Sequence, residues 1–108
     1  MNDYQAKLVL NAVKGLGFAR ITKLLAYFGS AVQVLRLKRN ELLESQAVPE
    51  AVADEIVHFP VDEFLKEELA LIEKSNVRVL FHGSEDYPQG LNFIPDAPFA
   101  LYVKGEMK

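Results

Sequence analysis

Cysteine is absent from these 108 residues, so neither a disulfide framework nor a thiolate metal site can form. Histidine is scarce, and His58 and His82 have no second or third ligand at usable spacing, which argues against a metal centre. No apolar run approaches the roughly 20 residues that span a bilayer, so no membrane role is expected. The opening Met1-Asn2-Asp3-Tyr4 lacks a basic stretch followed by an apolar one. No signal peptide is therefore expected, and a cytoplasmic location is the default. No Ser–His–Asp or Cys–His set is available for nucleophilic catalysis. Gly83-Ser84 is not followed by a helix with spaced glycines, so it is no nucleotide-phosphate fingerprint. Glu85, Asp86 and Asp96 stand among Gly, Tyr-Pro and Pro residues, which suits turns and caps better than a hydrolytic carboxylate pair. Neither enzymatic activity nor a cofactor is expected.

What is present reads as a soluble globular chain: half the residues are apolar and a quarter are charged. The length suits one ordinary domain, or a small domain and a piece of another. The net charge of −3 is unevenly spread. Residues 1–40 carry seven basic side chains against Asp3 alone, residues 41–60 carry five acidic and no basic ones, and residues 61–108 carry five basic and nine acidic. Such asymmetry suggests a basic face for an anionic partner on an acidic molecule.

The chain is organised around Lys14-Gly15-Leu16-Gly17-Phe18. On either side lie helical apolar stripes: Tyr4, Leu8, Val9, Ala12 and Val13 before it, Ile21, Leu24, Leu25 and Phe28 after it. Gly15 can end the first helix and reverse the chain, and Gly17 leaves the backbone bare where the second begins. Unpaired N–H groups and the positive end of the helix dipole suit a phosphate oxygen there. This is the logic of a helix-hairpin-helix element. With Lys14, Arg20 and Lys23 beside the two glycines, Lys14, Gly15, Gly17, Arg20 and Lys23 are the candidate phosphate contacts. Such contacts are insensitive to base sequence. The plainer alternative is a tight helix–helix turn that binds nothing.

Taken in order, Asn2 and Gln5 form a capping box that opens a helix at about 3–13. A second helix runs from about Phe18 to Phe28 and ends at Gly29. Ser30 and Gln33 open a short third at 31–36, and Asn40 caps a fourth that carries Leu42 and Leu43. Residues 41–57 weakly echo the first unit: a helix ending near Ser45, the turn Gln46-Ala47-Val48, and Pro49 at the first position of a helix at 50–58. The echo lacks the glycines and is acidic, so its expected role is to bury the first unit's apolar stripe. Asp62 then caps a helix at 63–75 with Phe64, Leu65, Leu69 and Ile72 on its apolar side, and Asn76 closes it. Val77–Phe81 and Phe99–Val103 read as strands. Between them, Tyr87-Pro88, Ile94-Pro95 and Ala97-Pro98 set extended corners, with a helical turn around 89–93 and Gly105 punctuating the end. Two strands and one helix do not complete a sheet layer. The tail therefore reads as the opening of an α/β domain whose remainder is missing, or as a segment that self-associates through its incomplete sheet.

Asp86-Tyr87-Pro88, Leu91, Ile94-Pro95-Asp96-Ala97-Pro98 and Leu101-Tyr102-Val103-Lys104-Gly105 resemble a segment of form DYPxxLxxIxDxPxxLYxKG in the DNA-processing protein A (DprA, also called Smf) family of bacteria. Upstream, Gly15-Leu16-Gly17, Leu24-Leu25 and Phe28-Gly29-Ser30 resemble that family's N-terminal helix-hairpin-helix, or SAM-like, region. The resemblance spans nearly the whole chain. It implies an α+β fold: a SAM-like α-bundle at 1–60, followed at 61–108 by the first helix and strands of an incomplete Rossmann-like α/β domain. Such proteins bind single-stranded DNA in natural transformation and help load the recombinase RecA onto it. The glycine- and arginine-bearing DNA pocket that the family carries after its next strand has no counterpart here, nor has the surface that usually makes its dimer. The implied role of this portion is accessory.

Two positions depart from common helix-hairpin-helix patterns. Ile21 stands where a small residue is usual and is expected to pack on the first helix. Phe18 stands where a small or basic residue is usual; it is a staple, an exposed stacking ring or an obstacle to phosphate. Lys38 and Arg39 either extend the basic track or solvate a helix end, the more usual role. Tyr4, Tyr27 and Tyr102 lie in apolar runs, which favours core packing over base stacking. A SAM-like protein-interaction module, with the acidic residues 41–60 facing a basic partner, is the rival reading. A helix-hairpin-helix glycosylase would need a catalytic Asp or Lys after the hairpin and a much larger helical body.

Overall fold

Asn2 opens the first helix by the reciprocal bonding that its spacing to Gln5 predicts. Its Oδ1 accepts from the Gln5 N–H at 2.8 Å, while the Asn2 N–H donates to Gln5 Oε1 at 3.2 Å. In the computed structural model, which describes residues 1–88 and 98–104, this helix, α1, spans Asp3–Ala12 and buries Ala6, Leu8, Val9 and Leu10. After a turn, α2 (Gly17–Phe28) buries Ile21 and Leu24 against it. Gly29, at φ +95°, ends α2 as expected, its N–H donating to the Leu25 carbonyl at 2.9 Å. Ser30 Oγ accepts from the Gln33 N–H and starts α3 (Ala31–Leu35). The Ala31 N–H donates to Asp3 Oδ1 at 3.0 Å, so a carboxylate from α1 fixes the start of α3.

Three helix starts differ from expectation. The fourth helix, α4 (Arg39–Glu44), is capped at Lys38, whose N–H donates to Glu41 Oε1 at 2.9 Å; Asn40 lies inside it. Pro49 is the N-cap of α5 (Glu50–Val57), its carbonyl accepting from the Val52 and Ala53 N–H groups. Pro60 likewise begins α6 (Val61–Lys74), which places Asp62 and Glu63 in the first turn, where carboxylates oppose the helix dipole favourably. Asn76 follows the C-terminus of α6 at φ +53°, the left-handed position expected of it.

The strands β1 (Val77–Phe81) and β2 (Ala100–Lys104) pair antiparallel, with Val77 opposite Lys104 and Phe81 opposite Ala100. The expected helical turn at 89–93, the corners through Ile94-Pro95 and Ala97, and Gly105 lie outside the described residues. An isolated strand pair is marginal in water. Here Phe81, Phe99 and Ala100 join one apolar cluster with Leu8, Leu16, Leu24 and Ile56, so a single core runs across residue 60. Phe64, Leu65, Leu69 and Ile72 of α6 are half-buried against that cluster. Leu80 and Tyr87 are buried apart from it, and the Tyr87 hydroxyl donates to the Pro98 carbonyl at 2.6 Å. The described residues thus form a small α+β protein of six helices and a two-stranded antiparallel sheet. None of these helices is long and apolar enough to cross a membrane.

Candidate nucleic-acid interface

The hairpin turn is built around one buried side chain. Leu16 is 1% exposed and plugs the core between α1 and α2, while Lys14, Gly15 and Gly17 on either side face solvent. Driving Leu16 inward forces the two residues beside it into unusual backbone geometry: Gly15 sits at φ +81° and Gly17 at φ +70°. L-side chains rarely adopt that region, so glycine is required at both. The two glycines differ in surroundings. A Cβ on Gly15 would meet Val52 Cγ2 of α5 at 3.4 Å, whereas one on Gly17 would have open space around it. Gly15 is therefore a packing point between hairpin and bundle, and Gly17 is the bare start of a helix.

No side chain caps that start. The residue preceding α2 is Leu16, which offers no acceptor, and the bond that Thr22 Oγ1 donates to the Phe18 carbonyl leaves the N–H groups of the first turn uncapped. Lys14, Arg20 and Lys23 are all exposed around it. Among the described residues the ion pairs are Lys7–Asp3, Arg39–Glu50, Arg39–Asp54 and Arg78–Asp86, so none of the three cations is neutralised by a partner. Arg20 is held in place rather than spent: its Nη1 donates to the Gly15 carbonyl at 2.8 Å, which folds the guanidinium back over the turn. Five donors in a fork leave the remaining N–H groups free for an anion. Of the five predicted contacts, Lys14, Gly15 and Gly17 lie in the exposed turn and Arg20 folds back over it, whereas Lys23 stands exposed in the second turn of α2.

Phe18 is neither a free stacking ring nor a barrier over the turn. It is half-buried, with its ring edge-to-face with His82 at 4.6 Å, and His82 in turn meets Tyr87 at 5.3 Å. This stack ties the start of α2 to the residues after β1. Ile21 is buried, as its place on the apolar stripe predicts.

Other sequence expectations need correction. Arg39 neither extends the basic track nor merely solvates a helix end. Its Nε donates to Asp54 Oδ1 at 2.6 Å and its Nη2 to Glu50 Oε1, and those bonds, that to Asp54 first, hold its pKa above the ordinary arginine value. Lys38 remains exposed. Tyr4, Tyr27 and Tyr102 are not core residues, being 39%, 65% and 42% exposed. Helical periodicity places a residue on a stripe but does not say where the neighbouring element stops covering it. Tyr4 lies edge-on to Phe81 at 5.6 Å; partial burial and the Glu68 charge raise its pKa. Tyr102 donates its hydroxyl to Glu68 Oε2 at 2.6 Å; partial burial, then that bond, raise its pKa. Tyr27 stays in the open beside Phe28, the two rings 4.6 Å apart.

The remaining polar candidates hold structure. His58 Nδ1 lies 2.9 Å from the Asp54 carbonyl. Asp86 accepts from Arg78 Nη2 at 3.1 Å and from Ser84 Oγ at 3.0 Å, the turn role its setting predicts. Glu85 is exposed, and Asp96 lies outside the described residues. No group of three or more metal-ligating side chains is found among the described residues.

Comparison of the chain with protein-family models, with curated proteins and with solved structures finds no match.

Proposed function

We propose that this chain is the N-terminal part of a DprA-like DNA-processing protein, and that its first hairpin contacts the phosphates of single-stranded DNA without regard to base sequence. In this reading residues 1–60 are the SAM-like bundle and residues 61–108 open a Rossmann-like domain. Help in loading RecA comes with the family resemblance and belongs to the whole protein, in which this portion is accessory. The observation that supports a phosphate contact is the start of α2: uncapped, with the exposed Lys14, Arg20 and Lys23 before and after it, none of which pairs with a carboxylate among the described residues.

The rival, a protein-interaction module without DNA contact, relies on the acidic second hairpin. Arg39 weakens it, because its guanidinium already engages Glu50 and Asp54, two of the five carboxylates in residues 41–60. A salt titration of binding to a short oligothymidylate separates the two readings. Neutralising three phosphates predicts a slope of log K against log salt of about −2 for a single strand. Replacing Lys14, Arg20 and Lys23 together by Glu should abolish the binding. If DNA affinity survives that change, the hairpin is not the contact and the interaction reading replaces this one.

A further inference from the structure

We propose that the outward face of α2 continues the phosphate-binding corner as a stacking track for single-stranded nucleic acid, with Tyr27 as the ring on which a base rests. The inference builds on the proposed phosphate contact but adds a different chemistry at a different place.

Arg20, Lys23 and Tyr27 stand at i, i+3 and i+7, and so share one stripe of the helix. All three are exposed, and so are Ala19 and Ala26 beside them, whose small side chains leave the stripe open. The α2 sequence contains no Asp or Glu, so nothing on this helix repels a polyanion. Tyr27 is 65% exposed, the most of any large apolar side chain described. The half-buried Phe28 ring against it restricts its motion, which lowers the entropy lost when a base stacks on it. From Gly17 to Tyr27 the helix rises about 15 Å, room for several nucleotides laid along it.

The two ends of α2 have opposite polarity, which divides the work. The N-terminal end, with its amides and cations, suits phosphate. The C-terminal end presents carbonyls and a partial negative charge, where a phosphate gains nothing and a neutral base on an aromatic ring is the favoured contact. An acidic peptide would satisfy the cations but would make no use of a flat ring in this position.

The 108-residue protein contains no tryptophan, so its emission comes from four tyrosines, and the share of Tyr27 is read as the quenching seen in wild type and lost in Tyr27→Phe. Binding is measured at low salt for a short oligothymidylate, for a base-free deoxyribose-phosphate oligomer of equal length, and for polyglutamate. Stacking predicts quenching on oligothymidylate binding and affinity for it roughly five- to a hundredfold weaker in Tyr27→Ala. Tyr27→Phe should retain the wild-type affinity. The base-free oligomer should bind wild type and Tyr27→Ala alike, with thermal unfolding unchanged by either substitution. If Tyr27→Ala binds oligothymidylate as wild type does while the binding stays salt-dependent, stacking is overturned and the phosphate contact stands. If wild type binds neither oligomer, the underlying phosphate reading has failed. Polyglutamate bound as tightly as oligothymidylate, with the same loss in Tyr27→Ala, would assign the face to an acidic peptide and overturn the proposal.

Discussion

The two helical hairpins, α1–α2 and α4–α5, reverse the chain in similar ways and treat their charges in opposite ways. Each turn places a residue at positive φ: Gly15 at +81° in the first, Gln46 at +59° in the second. Each buries leucine at full depth, Leu24 in the first and Leu42 in the second. Yet the cations of the first hairpin have no carboxylate partner among the described residues, whereas Arg39 of the second is locked to Glu50 and Asp54. Packing therefore does not distinguish a candidate binding hairpin from a structural one. Where the cations are left free does.

If packing is shared, truncation should hurt both hairpins alike. Leu24→Ala and Leu42→Ala are each expected to cost about 3 kcal/mol in urea denaturation, with little change in the slope. A cost confined to one hairpin would break the comparison.

Backbone strain should separate the two turns with opposite signs. Gly15→Ala forces a Cβ into the left-handed region against Val52 and should destabilise by about 1–2 kcal/mol. Gln46→Gly relieves the same strain at an exposed position and should raise stability by up to about 1 kcal/mol. Thermal unfolding of the two variants, compared with wild type, reads both shifts.

Charge should separate them next. Arg39→Ala removes two carboxylate bonds that join α4 to α5; because the pairs lie at the surface, the expected result is a small fall in melting temperature that diminishes with added salt. Lys23→Ala breaks no ion pair among the described residues and should fall within about 0.5 kcal/mol of wild type.

The smallest effect lies at the sheet. The folded pKa of Tyr102 is raised above the ordinary 10.0, so its bond to Glu68 contributes stability that is fully present below pH 10 and lost as the pH rises beyond it. Tyr102→Phe should therefore lower stability by less than about 1 kcal/mol at neutral pH, and the difference should vanish in strong alkali. Denaturation at several pH values checks both statements.

Local signals were legible in the sequence because local chemistry sets them. Asn2 with Gln5, Ser30 with Gln33, Gly29 and Asn76 act within a few residues of themselves, and each caps or closes as expected. The apolar stripe of α2 follows from helical spacing, and the strand β1 from its β-branched and aromatic content. What escaped is what depends on distant partners. Arg39 reaches 11 and 15 residues along the chain to its carboxylates, Phe18 meets His82, and Tyr102 meets Glu68. Tyr27 escapes for the same reason: it belongs to an apolar stretch, yet among the described residues it is left 65% exposed. The spacing of Arg20, Lys23 and Tyr27 was visible all along, and only their shared exposure gives it meaning.

The central claim is that the free cations of the first hairpin hold phosphate, and the direct test is the salt dependence of oligothymidylate binding by the wild-type chain and by the Lys14→Glu, Arg20→Glu, Lys23→Glu variant. The account predicts steep loss of affinity with salt for the wild type and no measurable binding for the variant. Equal affinities for the two, or no binding by the wild type at low salt, would contradict it.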